Sequence, residues 1–171
     1  SILVTALTNR ALIELVIKEN LSNYLSSGRI SKTNLNTEEI KECKGLKNAD
    51  TVFSAKGELM LTTYYKMTGI ANETNFDPIF DFVILEEASQ SFLGTIACAR
   101  ALGRNLLIVG DHMQLPPVVT QRNPSIIDKN IDWLIYGLKH FALKEDCLKT
   151  RLTGSYRLLP EAAKQTGVFY D

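Results

Sequence analysis

The chain has 171 residues, with 19 lysine and arginine residues against 19 aspartate and glutamate residues, and 45% of it is apolar. A net charge of zero excludes a strongly basic module that holds nucleic acid by bulk charge, and it equally excludes an acidic tail protein. A chain of this length can build one good hydrophobic core rather than two large domains. Any partner must therefore be held by a local site.

The chain has few cysteines and histidines, and its apolar runs are short. The three cysteines are Cys43, Cys98 and Cys147, and the two histidines are His112 and His140. No C-x-x-C pair is present, so we expect no zinc site and structural roles for the histidines. We expect the thiols to be reduced, as in an intracellular protein, either cytoplasmic or nuclear. The longest apolar runs are far shorter than the roughly 20 residues of a membrane span, so we expect no membrane partner.

The first half of the chain predicts strands separated by helical or polar segments. Ile2–Ala6 is prone to form a strand, Thr8 and Asn9 can cap a following helix, and Gly28 is placed to end it. Residues 29–57 are polar and predict a surface insertion with one short helix. Two further strands are predicted over Glu58–Thr63 and Asp81–Leu85, with a loop over Asn72–Pro78 between them.

The second half continues the alternation of helix and strand. The spacing of apolar residues predicts a helix over Ala88–Gly103, a strand over Leu106–Val109 and a helix over Ile126–Phe141 with Trp133 and Leu134 facing inward. A last strand is predicted over Cys147–Leu152. This order indicates an α/β fold with a mostly parallel sheet covered by helices, which binds ligands at the carboxyl ends of its strands.

Two of the predicted strands end in acidic residues. Glu86 and Glu87 follow one strand, and Gly110-Asp111 follows the next. Paired carboxylates at a strand end suit a nucleotidase, because one can bind the hydrated Mg²⁺ while its neighbour orients the attacking water. The alternative is a strand that simply reaches solvent at two glutamates.

The strings around these acids resemble motifs of a known enzyme family. GDHMQLPPVV at 110–119 resembles motif III of superfamily 1 helicases, in the branch that includes the nonsense-mediated-decay RNA helicase, and EEASQ at 86–90 resembles motif II. VTALTNRA at 4–11 resembles motif Ia, LTT at 61–63 resembles motif Ic, and SYRLLPE at 155–161 with Phe169-Tyr170 resembles motif IV. The resemblance implies a RecA-like P-loop NTPase fold and an ATP-dependent DNA or RNA helicase that uses Mg²⁺.

The resemblance also implies roles for individual residues. Glu86 would bind Mg²⁺, Glu87 would activate the hydrolytic water, and Arg157 would reach the γ-phosphate as an arginine finger. The remaining nucleotide contacts implied are Gln90, Asp111, Gln114 and Tyr156, with Gln114 counted among the catalytic residues. The implied contacts to the backbone of single-stranded DNA or RNA are Thr5, Thr8, Asn9, Thr62 and Thr63.

Simpler interpretations stand beside these roles. Thr8 and Asn9 can be helix caps only, since capping and phosphate contact use the same atoms. Tyr156 can pack beneath its loop, and Arg157 can form a surface ion pair. Glu86 stands where the family has aspartate, and its extra methylene moves the carboxylate by roughly 1.5 Å.

No phosphate-binding loop of the form G-x-x-x-x-G-K-[ST] occurs in the 171 residues. We therefore expect a segment of a longer protein, in which residues 1–143 form a partial first RecA-like domain and residues 144–171 form a linker and the start of the second. The P-loop would lie upstream, and motifs V and VI would lie downstream. Alone, this chain would not hydrolyse ATP. A rival interpretation is a degenerate helicase-like domain that acts as a non-catalytic scaffold for nucleic acid or protein.

Overall fold

The computed structural model describes residues 1–119, 132–144, 148–152 and 159–167. The strands are β1 (Ile2–Ala6), β2 (Ile30–Thr33), β3 (Lys47–Ala49), β4 (Leu59–Thr63), β5 (Phe80–Leu85) and β6 (Gly103–Ile108). The α-helices are α1 (Asn9–Val16), α2 (Ser22–Ser26), α3 (Thr37–Glu42), α4 (Tyr64–Glu73), α5 (Leu93–Leu102), α6 (Asp132–Ile135), α7 (Gly137–Ala142) and α8 (Pro160–Gly167). Short 3-10 turns cover Glu19–Leu21 and Ala88–Gln90.

Within these ranges the strands form one six-stranded sheet in the order β3-β2-β4-β1-β5-β6. Every pairing is parallel, and β1 lies between β4 and β5. The predicted α/β fold with a parallel sheet covered by helices is therefore confirmed, and it is the architecture of a RecA-like domain. All six strands end at the same edge, so the segments that follow them are neighbours in space.

Alternate residues of the central strand β1 enter two separate cores. Leu3 packs with residues of α4 and α5 on one face of the sheet, whereas Val4 and Ala6 pack with α1 on the other. A strand that is buried on both faces reads as a continuous apolar run, which is why the sequence of β1 predicted its bounds correctly.

The segment 29–57, predicted as a surface insertion, instead contributes two strands to the sheet. All four residues of β2 are buried, and β2 pairs with both β3 and β4. The prediction was wrong because β2 has the sequence ISKT, in which three of four residues are polar. Its burial depends on partners for those polar groups that periodicity does not reveal.

Among these polar groups, Lys32 is the most costly to bury because it is charged, and its side chain is fully buried in β2. Its Nζ donates to Glu39 Oε2 at 3.0 Å and to the Thr33 carbonyl oxygen at 3.3 Å. Glu39 is also part of a capping box at the start of α3: its backbone N–H donates to Asn36 Oδ1 at 2.8 Å, and its carboxylate accepts from the Asn36 N–H at 3.1 Å. One carboxylate thus starts α3 and neutralises the buried lysine, which ties α3 to the sheet.

Other boundaries differ from the predictions. Gly28 does occupy the left-handed conformation expected after a helix end, but it follows α2, since the first helix already ends at Val16. The predicted helix Ala88–Gly103 is a 3-10 turn followed by α5, and Gly103 begins β6 instead of a loop. Helix α4 was not predicted, and it extends into the loop expected from residue 72.

The carboxyl-terminal predictions are only partly covered by the described residues. α6 and α7 lie within the predicted helix, but Trp133 and Leu134 are exposed rather than inward-facing. Residues 148–152 do not form the predicted strand, and Cys147 lies outside the described residues. Across the described ranges, every helix is too short or too polar to span a bilayer.

We predict that Glu39→Gln lowers the free energy of unfolding by about 3 kcal/mol, because it leaves the buried Lys32 ammonium without a countercharge. Glutamine also serves at this position of a capping box, so the change isolates the loss of charge. Glu38→Gln, at the exposed neighbouring position, is the matched control and should change stability by less than about 0.5 kcal/mol. Urea unfolding of both variants measures the difference, and equal effects would contradict an energetic role for the buried pair.

Candidate nucleotide site at the carboxyl edge of the sheet

The acidic pair follows β5 in a tight turn. The Glu86 N–H donates to the Thr5 carbonyl oxygen at 2.9 Å, which continues the pairing with β1 by one residue. Glu87 then adopts the left-handed conformation, with φ of 56° and ψ of 38°, and begins the 3-10 turn Ala88–Gln90. A left-handed residue that is not glycine costs roughly 1–2 kcal/mol. The turn is therefore held in place by its surroundings rather than by its own preference.

The end of β6 supplies part of that support. The Ala88 N–H donates to the Val109 carbonyl oxygen at 2.9 Å, and the Val109 N–H donates to the Leu85 carbonyl oxygen at 2.8 Å. Gly110 then passes so close that a Cβ there would lie 2.9 Å from the Ala88 nitrogen. Glycine is required by this approach of two backbones, and the expectation that both acidic segments meet at one edge is confirmed.

Glu86 lies in a partly buried and electrostatically unfavourable place. Burial, and secondarily the charge of Glu87, raise the pKa of the Glu86 carboxyl above its ordinary value. Its main-chain carbonyl oxygen accepts a hydrogen bond from the hydroxyl of Tyr64, a buried residue at the start of α4. Burial also raises the pKa of Tyr64, with further contributions from Glu87 and Glu86. In the described part of the chain, no lysine or arginine forms an ion pair with either glutamate.

The loop after β6 is organised by Asp111. Its Oδ1 accepts from the Met113 N–H at 3.0 Å, and its Oδ2 accepts from Gln114 Nε2 at 3.2 Å. The structure therefore brings Asp111 and Gln114 together, as one hydrogen-bonded unit in the loop that follows Gly110. Gln90 lies at the end of the 3-10 turn, where its N–H donates to the Glu87 carbonyl oxygen at 3.1 Å, and its side chain is exposed.

The threonines predicted to contact nucleic acid differ sharply in accessibility. Thr5 and Thr62 are fully buried, so their hydroxyls do not reach the surface. Thr62 Oγ1 lies 2.8 Å from Thr33 Oγ1 on β2, whereas Thr5 Oγ1 has no hydrogen-bond partner among the described residues. Thr63 is partly exposed at the N-cap of α4, where its side chain makes no capping hydrogen bond.

The capping interpretation of Thr8 is confirmed. Thr8 is the N-cap of α1, and its Oγ1 accepts from the Ala11 N–H at 3.2 Å. Asn9 is the exposed first residue of that helix. Contact of either residue with nucleic acid stays a prediction. Tyr156 and Arg157, predicted to contact the nucleotide, lie outside the described residues.

The fit of a divalent cation can be judged from the donor set. No cluster of three or more histidine, cysteine, aspartate or glutamate residues occurs among the described residues. Mg²⁺ at a nucleotide site, however, is commonly held by one or two carboxylates together with phosphate oxygens and water. A partly buried Glu86 with a raised pKa, next to a second carboxylate, fits that kind of site because a cation there would offset the repulsion.

Sequence reasoning missed two residues that shape this edge. Tyr64 fixes the Glu86 carbonyl oxygen, and Thr33 bonds to Thr62, yet neither belongs to a string that resembles a family motif. A signal for Tyr64 was present, because it directly follows a predicted strand at the edge where ligands bind. Thr33 was hidden in the segment that was assigned to the surface.

Comparison with known proteins identifies the class. A family model described as an AAA domain matches residues 26–122, more than half of the chain. The chain thus belongs to the AAA-domain family. This match and the similarity to the helicases described next identify a superfamily 1 helicase-like domain, as the resemblance implied.

The relatives are larger proteins. The human DNA replication ATP-dependent helicase/nuclease DNA2 is 29% identical over 129 residues, which cover 71% of this chain and 12% of that protein. The Saccharomyces cerevisiae protein of the same name is 36% identical over 84 residues, which cover 46% of this chain and 5% of that protein. The family match begins at residue 26 and so includes the segment 29–57 that the motif comparison had left out.

We predict that Glu86→Gln stabilises the fold at neutral pH. Since the pKa of Glu86 is raised in the folded state, its ionised form costs stability at pH values above that raised pKa, and the cost disappears below the ordinary value of 4.5. The melting temperature of the variant should therefore exceed that of the wild type at pH 7, and the difference should close as the pH falls to about 3.

Glu38→Gln is the control for this comparison, since its side chain is exposed far from the acidic turn. A stabilisation by Glu86→Gln that stays constant between pH 7 and pH 3 would contradict the electrostatic explanation and would indicate a packing effect instead.

Proposed function

We propose that this chain is part of an ATP-dependent helicase or translocase that acts on single-stranded DNA or RNA. The single observation that carries the proposal is the acidic turn Glu86-Glu87, held at the carboxyl edge of a parallel sheet against Val109 and Gly110, which lead into the Asp111–Gln114 loop. Membership of the AAA-domain family and similarity to DNA2 support the same conclusion. An intracellular location, nuclear or cytoplasmic, goes with this proposal.

The proposed role of each residue follows from its position. Glu86 would hold Mg²⁺, which when bound neutralises charge on the phosphates of ATP. Glu87, the second carboxylate after β5, would orient the water that attacks the γ-phosphate. Gln114 would respond to the γ-phosphate, and its hydrogen bond to Asp111 would hold it ready for that contact.

The other predicted nucleotide contacts complete the proposal. Gln90 would contact the nucleotide from the end of the 3-10 turn, whose first residue is hydrogen-bonded to Val109. Arg157 would stabilise the charge that develops on the γ-phosphate, and Tyr156 would pack against the nucleotide. The phosphate-binding loop and motifs V and VI would come from other parts of the protein, so the 171 residues alone would not turn over ATP.

Nucleic acid would be held at the same edge, beyond the acidic turn. The accessible candidates are Thr8, Asn9 and Thr63, which lie at the starts of α1 and α4. Backbone N–H groups at helix starts and short polar side chains suit phosphate, so a neutral chain can bind nucleic acid locally. Thr5 and Thr62 would contribute by shaping the ends of β1 and β4, since their side chains are buried.

A second candidate function is a non-catalytic scaffold with a helicase-like fold. The observation that favours it is Glu86 in the place of aspartate, because Mg²⁺ requires near-ideal ligand geometry. Under this alternative the acidic turn would bind neither cation nor nucleotide. The discriminating measurement is ATP binding by the complete protein, with and without Mg²⁺.

We predict that Glu87→Gln in the complete protein abolishes ATP turnover and leaves the affinity for ATP within about twofold of the wild type. The reason is that the glutamine side chain keeps the size of Glu87 but loses the basic oxygen needed to activate water. Steady-state ATPase rates and nucleotide titration check the two parts. Glu38→Gln is the control variant, and retained turnover in Glu87→Gln would contradict the assigned role.

A further inference from the structure

Tyr65, in the first turn of α4, exposes 87% of its surface, whereas the adjacent Tyr64 exposes 5%. Single exposed apolar residues are common, so exposure alone indicates nothing. What distinguishes Tyr65 is its place two residues after Thr63, at the edge of the sheet where the nucleic acid is proposed to bind. The ring is available to a ligand and contributes little to the core.

The turn that carries Tyr65 is fixed by both of its neighbours. The Tyr64 hydroxyl donates to the main-chain carbonyl oxygen of Glu86 on the far side of β1. On the other side, Lys66 Nζ donates to Asn34 Oδ1 at 2.9 Å, which ties α4 to the segment after β2. A ring on a turn held at both sides loses little additional freedom when a ligand binds, so it is suited to binding.

The space beside the ring favours a flat, polar ligand. Tyr65 and Lys66 line an open cavity of about 530 Å³, whose walls also include Thr51 and Thr68. Asp50 and Glu73 also line it and would repel an anion there. Glu73 is the last residue of α4, about two helical turns from Lys66, so a phosphate would lie nearer to Lys66 than to Glu73.

We propose that Tyr65 is a base-stacking residue for single-stranded nucleic acid, with the sugar-phosphate backbone running along Thr63 and Lys66. This inference rests on the proposed function and adds to it a specific contact for the bases. Stacking on an aromatic ring tolerates any base, so the contact would provide affinity without sequence preference. The cation Lys66 and the hydroxyl groups of Thr51 and Thr68 in the same lining favour this occupant over an apolar protein segment.

The test uses the complete protein and a single strand that carries 2-aminopurine, whose fluorescence falls when it stacks on an aromatic ring. We expect Tyr65→Ala to remove the quenching and to weaken binding by at least about fivefold, while Tyr65→Phe retains both. The salt dependence of binding should be unchanged in Tyr65→Ala, because phosphate contacts are kept. Lys66→Gln should instead reduce the slope of the logarithm of the binding constant against the logarithm of salt concentration by about one, and it should retain the quenching.

Tyr24→Ala is the matched control, since Tyr24 is an exposed tyrosine on α2, which leads into the opposite end of β2. If the wild type binds the strand and Tyr65→Ala binds and quenches equally well, the stacking contact is overturned and the proposed function stands. If the wild type binds no single strand, the proposed function fails as well. A change in oligomeric state in Tyr65→Ala, measured by sedimentation, with unchanged quenching would assign the ring to a protein contact and overturn the inference.

Discussion

The candidate site depends on the hydrogen bonding between the ends of β5 and β6. The bond from the Val109 N–H to Leu85 prolongs the parallel ladder beyond β6, and the bond from the Ala88 N–H to Val109 holds the acidic turn against it. With a left-handed residue inside, that turn would open if it were free. Because Gly110 has no Cβ, the two backbones can come close enough for both bonds to form. The position of every other predicted nucleotide contact in the described residues follows from this pairing.

Strain and unfavourable electrostatics are concentrated at this edge. Glu87 has an uncommon backbone conformation, Glu86 is ionisable and partly buried, and Thr5 carries a buried hydroxyl without a partner among the described residues. Each of these lowers stability, and together they are typical of a functional site rather than of a structural one. The buried pair Lys32–Glu39 lies on a different part of the sheet, and both side chains have hydrogen-bond partners. Stability and candidate chemistry therefore reside in different regions of one domain.

The sequence predicted the central elements well and the peripheral ones poorly. β1 is mostly buried and β5 is apolar apart from Asp81, so their positions, and the acidic residues that follow β5, could be derived from the sequence alone. The position of β2 could not be derived in this way. Lys32 can be buried because Glu39, seven residues later, neutralises its charge, and the periodicity of apolar residues does not reveal such a pair. The burial of Thr5 and Thr62 was missed for a similar reason: a motif indicates which residues are involved but not whether their side chains or their backbones face the surface.

A neutral chain can still offer a polyanion a favourable surface when its charges are separated in space. At the carboxyl edge, Lys66 bonds to Asn34 and forms no ion pair among the described residues, while Arg10 is engaged by Glu14 and Glu42 on the opposite face of the sheet. Tyr64 connects the start of α4 to the acidic turn, since it directly follows Thr63 and its hydroxyl bonds to the carbonyl oxygen of Glu86. A displacement of the start of α4 would therefore shift the carbonyl oxygen of Glu86 directly. This covalent and hydrogen-bonded path would connect the nucleic-acid contacts proposed at the start of α4 with the nucleotide contacts proposed at Glu86.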